Sequence, residues 1–298
     1  MPQAISQAGL TQKAYQDGEL AIKNLSPIER AALVKHIGIE SGRAPFLTLL
    51  KTARKLKTMA NFPDEDIISS YDCHSDFPVI GNPKLFVKKT YRDLYKQIDE
   101  HFKIYPLTNR IAVTGTAGIG KSAFLVYFAL KVLAESPDDC PPLLIYHQRS
   151  GDSPCYAFSG TEIVRTGNST LFGDLLDLDE TWYLVDSAPR PLLCKARTII
   201  AVSPNTLNAD TSEYQEFDKQ GLPKYYMAPW SLPELKRCRE QVFENLPYNV
   251  MQQFYDKVGG IPRYVLQIPA KEYAGRKVTS TDATMKKNIK KRKKLPPK

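Results

Sequence analysis

Residues 111–122 read IAVTGTAGIGKS and combine an apolar run with a glycine-rich segment. The apolar residues Ile111–Val113 predict a buried strand that leads directly into a glycine-rich turn. A run typical of a helix follows over residues 122–133. The pattern G-x-x-x-x-G-K-S is typical of a phosphate-binding loop when a strand precedes it and a helix follows it, as predicted here. We therefore predict a loop that wraps around phosphate groups.

The residues of this loop are expected to have different roles in binding a nucleoside triphosphate with magnesium. The glycines permit a tight turn whose amides, with the N-terminus of the next helix, face phosphate oxygens. Lys121 is expected to bridge the β- and γ-phosphates, and Ser122 to ligate Mg²⁺. The alternative is a glycine-rich turn that binds nothing. The predicted nucleotide-binding residues are Gly115, Thr116, Ala117, Gly118, Ile119, Gly120, Lys121, Ser122 and, from a later strand, Asn205.

A second apolar stretch supplies the acidic residue that such a site needs. Trp182–Val185 predicts a buried strand, and Asp186 at its end is expected to hold magnesium through water. An aspartate that only caps the next turn is the alternative. Ser187 follows, where many ATPases have a glutamate that polarises the attacking water. The sequence thus supports nucleotide binding directly and hydrolysis by extension.

Two further polar residues are candidates for contacts with the phosphates. Asn205 follows a predicted strand over residues 198–202 and is placed to sense the γ-phosphate, although an ordinary loop asparagine fits the pattern equally. Arg263 follows the turn 259–262, where a guanidinium can stabilise charge in the transition state or form a structural ion pair. The candidate catalytic residues are Lys121, Asp186 and Arg263.

The remaining pattern predicts an α/β fold of the P-loop NTPase type, with a mostly parallel sheet flanked by helices and a small helical N-terminal region before it. A capping box at Ser26 and Glu29 predicts a helix that runs towards Gly38. The other predicted elements are a helix over 46–56, an irregular connection over 61–83, a helix over 91–102, strands at 142–147 and 224–227, and a hairpin within 149–181. The predicted regions are 1–84 (helical region and linker), 85–275 (NTPase domain) and 276–298 (disordered basic tail).

The charge of the chain is concentrated at its C-terminal end. The net charge is +9, and residues 286–298 contain eight basic and no acidic residues, which leaves +1 for residues 1–285. Such a tail fits nuclear import, weak contact with nucleic acid, or a solubilising segment. Five cysteines without a C-x-x-C pair indicate a reducing compartment. We expect no membrane span and find no pattern typical of a secretion signal.

Several segments together resemble the P-loop NTPase module of the Crinkler proteins of oomycetes and fungi, which is related to that of retrotransposon hot spot proteins. The resemblance covers roughly residues 85–268. It implies an ATPase in a secreted, effector-like protein that acts in the nucleus of a host cell, with a host protein as a partner. The N-terminal targeting signature of that family is not seen here. The segments that carry the resemblance are Phe86–Tyr91, Val113–Phe124, Trp230–Leu235 and Gly259–Tyr264.

Three hypotheses of function follow from these residues. The first is a slow Mg²⁺-dependent ATPase of the additional-strand class, with Lys121, Ser122 and Asp186 at its site. The second is a nucleotide-binding switch without significant hydrolysis, motivated by Ser187. The third is a small-molecule kinase, which needs an arginine-rich lid that the sequence does not show. The pattern leaves the choice between ATP and GTP, and the oligomeric state, open.

Overall fold

The computed structural model describes residues 22–40, 44–59, 62–63, 66–149, 154–207, 214 and 221–276. The chain divides by its packing into two compact units, Met1–Ala228 and Pro229–Lys298. The first unit contains a mixed eight-stranded sheet with helices against it. The predicted α/β class, with a mostly parallel sheet flanked by helices, is thereby confirmed. The region boundaries predicted at residues 84 and 275 stay predictions.

The strands in the described part of the chain fall into two sheets. They are β1 (Ile39–Glu40), β2 (Ile67–Ser69), β3 (Lys84–Phe86), β4 (Arg110–Thr114), β5 (Leu143–Gln148), β6 (Cys155–Ser159), β7 (Ile163–Gly167), β8 (Trp182–Asp186), β9 (Arg197–Val202) and β10 (Lys224–Tyr226). The main sheet has the order β1-β7-β6-β5-β8-β9-β4-β10, and β2 pairs with β3 separately. The neighbours from β5 to β10 run parallel, whereas β6, β7 and β1 continue antiparallel.

Helices cover both faces of the main sheet. The helices of the first unit, in the described ranges, are α1 (Pro27–Leu33), α2 (Ala44–Lys57), α3 (Lys89–Ile104), α4 (Lys121–Glu135), α5 (Gly173–Leu176) and α6 (Pro204–Leu207), with 3-10 turns at Ile22–Asn24, Val34–His36 and Ser169–Phe172. On one face α4 packs against β8 and β9, and α2 and α3 pack against α4. On the other face Tyr183 and Ile200 share a core with Leu33 of α1 and Leu175 of α5.

The covering of both faces explains why the central strands contain long apolar runs. Every residue of β8 and all of Ile111–Thr114 in β4 are buried. A strand that is buried on both sides cannot alternate between apolar and polar residues. Continuous apolar runs in the sequence therefore predict these strands correctly, to within one or two residues at each end.

The first helix begins as the sequence predicts and ends earlier. The backbone amide of Glu29 donates to Ser26 Oγ (3.4 Å), and the amide of Ser26 donates to Glu29 Oε2 (2.9 Å), which confirms the capping box. The α-helix ends at Leu33, and the 3-10 turn Val34–His36 continues the path towards Gly38. Beyond this turn, β1 pairs antiparallel with β7. The N-terminal segment therefore joins the main sheet.

Two short pairs of strands lie in regions without a clear periodic pattern. The connection predicted over 61–83 contains the strand β2. The sequence does not predict this strand, because three residues are too few to display the alternation that identifies one. The hairpin predicted within 149–181 is confirmed as β6 and β7. No helix in the described ranges is long and apolar enough to cross a membrane.

The second unit is helical in its described part. It contains α7 (Leu232–Val242), α8 (Tyr248–Val258), a π-helical segment at Arg263–Gln267 and α9 (Ile268–Arg276). Just before α7, the amide of the buried Trp230 donates to the carbonyl of Gly260 (2.9 Å). A Cβ atom on Gly260 would lie 1.9 Å from the carbonyl oxygen of Trp230. The two backbones can approach this closely only because residue 260 is glycine.

Replacing this glycine is expected to destabilise the second unit. Gly260→Ala forces the two backbones apart and should lower the free energy of unfolding by about 3 kcal/mol. Gly275→Ala is the matched control, because nothing lies within 4 Å of its added Cβ and alanine favours a helix. Urea denaturation followed by circular dichroism measures both. Equal midpoints for the two variants would contradict this packing.

Candidate functional site

The glycine loop, Gly115–Ser122, connects β4 to α4 at the carboxyl end of the parallel strands. Gly115 has φ +147°, and a Cβ on it would lie 2.8 Å from the carbonyl oxygen of Met227, just after β10. The amide of Met227 also donates to the carbonyl of Thr114 (2.8 Å). Gly120 precedes α4 in the left-handed region, with φ +106°. Glycine is therefore required at both ends of the turn.

Lys121 lies inside this turn. It is the first residue of α4 and is only 8% exposed. Its Nζ atom donates to the carbonyl oxygens of Gly115 (2.6 Å) and Thr116 (3.2 Å). A buried ammonium group needs such partners because the loss of hydration is costly. The loop thus holds a positive charge beside its own backbone, at the N-terminus of a long helix.

Ser122 and Asp186 meet although 64 residues separate them in the sequence. Ser122 Oγ donates to Asp186 Oδ1 over 2.7 Å, and Asp186 is 6% exposed at the end of β8. Strand β9 lies between β8 and β4. The side chains therefore reach each other across the width of one intervening strand.

The arrangement offers oxygen ligands suited to a small hard cation. Hydroxyl and carboxylate oxygens are the donor types that Mg²⁺ prefers. The described residues contain no group of three or more His, Cys, Asp or Glu side chains that could hold a metal ion. Magnesium at phosphate sites characteristically takes one or two carboxylates and completes its shell with water and phosphate oxygens. The pair of Ser122 and Asp186 fits that type of site.

A buried tyrosine contacts the same carboxylate from the other side. Tyr146 lies in β5, and its hydroxyl donates to Asp186 Oδ2 over 3.4 Å. Burial, and secondly the negative charge of Asp186, raise the pKa of Tyr146 well above its ordinary value. The hydroxyl therefore keeps its proton at neutral pH and remains a donor. Both oxygens of Asp186 thus have a hydrogen-bond donor.

A second tyrosine supports the glycine loop. Tyr91 of α3 is completely buried, and its hydroxyl donates to the carbonyl of Gly120 over 2.8 Å. The amide of Phe124 donates to the same carbonyl as part of α4 (2.9 Å). This contact joins the helix before β4 to the start of the helix after it. The loop is consequently held from outside as well as by its own bonds.

The residue after Asp186 is turned back towards the sheet. Ser187 has φ +51°, which is uncommon for a residue other than glycine. Its amide (3.0 Å) and its Oγ atom (2.8 Å) both donate to the carbonyl of Ala201 in β9. The hydroxyl is therefore engaged with the backbone. Ser187 closes a turn and carries no carboxylate that could act as a base.

The other predicted residues have varied settings. Thr116 and Ala117 are exposed, and Ile119 is completely buried beneath the loop. Asn205 is exposed in α6, in a turn closed by a hydrogen bond of 2.8 Å between Ser203 Oγ and Thr206 Oγ1. Arg263 is exposed at the start of the π-helical segment in the second unit. The structure thus brings Lys121, Ser122 and Asp186 to one loop and strand end.

Reasoning from sequence missed the two tyrosines. Tyr91 fits the helical period of buried residues and looks like an ordinary core position, although it belongs to a segment that carries the resemblance described above. Tyr146 lies near the end of an apolar strand. The available signal was its position near a strand end, where it could face the predicted acidic residue.

A scan against protein-family models finds no match, and a search of curated proteins also finds none.

The contact between Tyr91 and the loop is testable by its effect on stability. Tyr91→Phe removes one buried hydrogen bond but leaves Gly120 with its partner in α4, so we expect the free energy of unfolding to fall by about 1 kcal/mol. Tyr95→Phe, one turn further along α3, is the control, because Tyr95 contacts Phe128 through its ring. Urea denaturation compares them. A cost for Tyr95→Phe as large as that for Tyr91→Phe would refute the assignment.

Proposed function

We propose that this chain binds a nucleoside triphosphate with Mg²⁺ at the glycine loop and hydrolyses it slowly. The observation that carries the proposal is the distance of 2.7 Å between Ser122 Oγ and Asp186 Oδ1. A lysine-containing glycine loop alone is a local pattern of sequence. Its meeting with a buried carboxylate from a distant strand is a property of the folded chain, and it supplies the second half of a magnesium nucleotide site.

Lys121 and the start of α4 bind the phosphates in this proposal. The ammonium group donates to two loop carbonyls, and it exchanges these for β- and γ-phosphate oxygens, which are stronger acceptors because they are charged. The helix behind it is 15 residues long, so its N-terminal amides and dipole favour an anion. These groups orient the triphosphate and stabilise negative charge on it.

Ser122 and Asp186 hold the magnesium ion. Asp186 accepts hydrogen bonds at the end of β8, and its carboxylate could bind the ion directly or through a water molecule. The Ser122 hydroxyl donates a hydrogen bond to Asp186 Oδ1, which leaves the lone pairs of Oγ available. The bound ion supplies charge neutralisation between the phosphates and the carboxylate. The two residues fix where that charge lies.

The order of the strands also supports a P-loop fold of the additional-strand class. In that class a further strand lies between the strand that enters the phosphate loop and the strand that ends in the acidic residue. Here β9 lies between β4 and β8. Asn205 follows β9 at the same edge of the sheet, as expected for a residue that senses the γ-phosphate. Arg263 stays a proposal for stabilising charge in the transition state.

Slow turnover follows from the residue after Asp186. A carboxylate at that position can polarise the attacking water, whereas the Ser187 hydroxyl donates to the carbonyl of Ala201 (2.8 Å). Positioning of the triphosphate and magnesium remains, so the chain keeps part of the catalytic apparatus. The same observation favours a second function, a switch in which nucleotide binds and alters a binding surface with little hydrolysis.

The cellular setting is proposed from the family resemblance and the charge of the tail. A Crinkler-like role implies a host protein as partner and action in the nucleus of a host cell. The basic residues of 286–298 would serve as an import signal or make weak contacts with nucleic acid. These residues lie outside the described part of the chain, so this part of the proposal depends on sequence alone.

The first test is phosphate release from ATP and GTP with magnesium, with nucleotide binding measured in parallel. Lys121→Ala should weaken binding at least tenfold, because a charge-assisted contact to the phosphates is lost. Asp186→Asn should retain binding without magnesium and reduce phosphate release by about 100-fold. Asp179→Asn, an exposed residue before β8, is the control that should leave both unchanged.

The outcomes separate the two functions. Phosphate release that both site variants lose supports the ATPase. Magnesium-dependent binding with no phosphate release supports the switch. If the wild-type chain binds neither nucleotide, both proposals are wrong.

A further inference from the structure

The Asp186 carboxylate is held by donors on both of its oxygens. Ser122 Oγ donates to Oδ1 over 2.7 Å, and the Tyr146 hydroxyl donates to Oδ2 over 3.4 Å. The first donor is part of the glycine loop, whereas the second comes from β5, the neighbour of β8 on the side away from β9. The proposed magnesium site would lie beside Ser122, which contacts Oδ1. Tyr146 contacts the other oxygen, Oδ2.

Tyr146 is held in place by aromatic packing. It is completely buried, and its ring meets that of Phe46 edge to face at 5.5 Å between centroids. Phe46 in turn stacks on Tyr156 at 3.5 Å and 10°. Tyr156 is the partner of Tyr146 across the β5–β6 pair. A completely buried ring that packs against another ring cannot turn easily, so the hydroxyl of Tyr146 stays directed at Asp186.

Phe46 lies in the first turn of α2, far from the glycine loop in the sequence. Its ring contacts Tyr146 near the end of β5. This end of β5 lies beside Asp186, because Gln148 is paired with Asp186 in the β5–β8 register. Helix α2 ends at Lys57, 58 residues before the loop begins at Gly115, and yet it supports the far side of the acidic residue.

We propose that Tyr146 is a positioning residue that fixes the Asp186 carboxylate for magnesium, and that α2 supports this site through Phe46. The inference deepens the proposed function and rests on it. Tyr146 touches neither nucleotide nor ion in this arrangement and acts only through Asp186.

The physical basis is the rotation of the carboxylate about its terminal bond. With a donor on each oxygen, one orientation is favoured, and Oδ1 faces Ser122. Asp186 and Ser122 would hold magnesium on the Oδ1 side, and the hydrogen bond from Tyr146 to Oδ2 would keep the carboxylate in that orientation. Residues that orient metal ligands commonly change metal affinity by about 10- to 100-fold. The 3.4 Å bond is long for two oxygens, so we expect about 3- to 10-fold here.

The test measures how nucleotide binding depends on magnesium in the full chain. Fluorescence anisotropy of a labelled, non-hydrolysable ATP analogue is recorded against Mg²⁺ concentration and also in EDTA. Tyr146→Phe should raise the Mg²⁺ concentration at half-saturation about 3- to 10-fold. It should leave binding in EDTA within twofold of wild type, because Lys121 and the loop are unchanged. A general loss of structure would weaken both.

Tyr156→Phe is the matched control. It removes a hydroxyl from the neighbouring buried tyrosine, and it retains the ring that stacks on Phe46. Its half-saturation should stay within twofold of wild type. Phe46→Leu is the second test variant, since it keeps an apolar side chain but loses the edge-to-face ring contact with Tyr146. It should shift half-saturation in the same direction as Tyr146→Phe, by about 2- to 5-fold.

Each outcome decides the inference. A selective change in Tyr146→Phe and Phe46→Leu supports it. If Tyr146→Phe matches Tyr156→Phe while the wild-type chain binds normally, the positioning role is wrong and the proposed function stands. If the wild-type chain does not bind the analogue at all, the proposed function fails, and this inference fails with it.

Discussion

The site depends on the parallel register of three strands. Ala201 of β9 is paired with Val113 of β4 on one side and with Asp186 of β8 on the other. The end of β8 is therefore level with the end of β4, where the glycine loop begins. A shift of two residues in either pairing would move Asp186 by about 7 Å and separate it from Ser122. Such a shift is costly because it would disrupt the close packing of the buried side chains on both faces of the sheet.

Much of this arrangement could be predicted because it is encoded locally. The apolar runs before Gly115 and Asp186 identify buried strands, and the loop pattern identifies its helix. Parallel strands present their carboxyl ends at one edge, so a meeting of Ser122 with Asp186 could be expected. The contacts of Tyr91 and Tyr146 could not be predicted from the sequence, because each depends on where a remote segment packs. A buried tyrosine also has the same sequence pattern whether or not its hydroxyl has a function.

The support of the site is divided between polar and aromatic contacts. Close to the loop, hydrogen bonds to backbone carbonyls set the geometry, as at Lys121 and Tyr91. Further out, packed rings such as Phe46 and Tyr156 limit motion without directing any particular bond. The two kinds of contact meet at Tyr146, whose ring belongs to the core and whose hydroxyl reaches a charge. A core packed to crystal-like density transmits small displacements, so distant positions can affect the carboxylate.

The pairing of β1 with β7 has a consequence for synthesis on the ribosome. Ile39 pairs with Thr166, so the N-terminal strand is made 127 residues before its partner. At ~5–20 residues per second, it waits roughly 6 to 25 seconds for that partner. A chain that began after the N-terminal region would leave β7 without this neighbour, and an unpaired strand edge favours association between molecules. Once β7 has been made, its pairing with β1 covers a strand edge that would otherwise be open to another molecule.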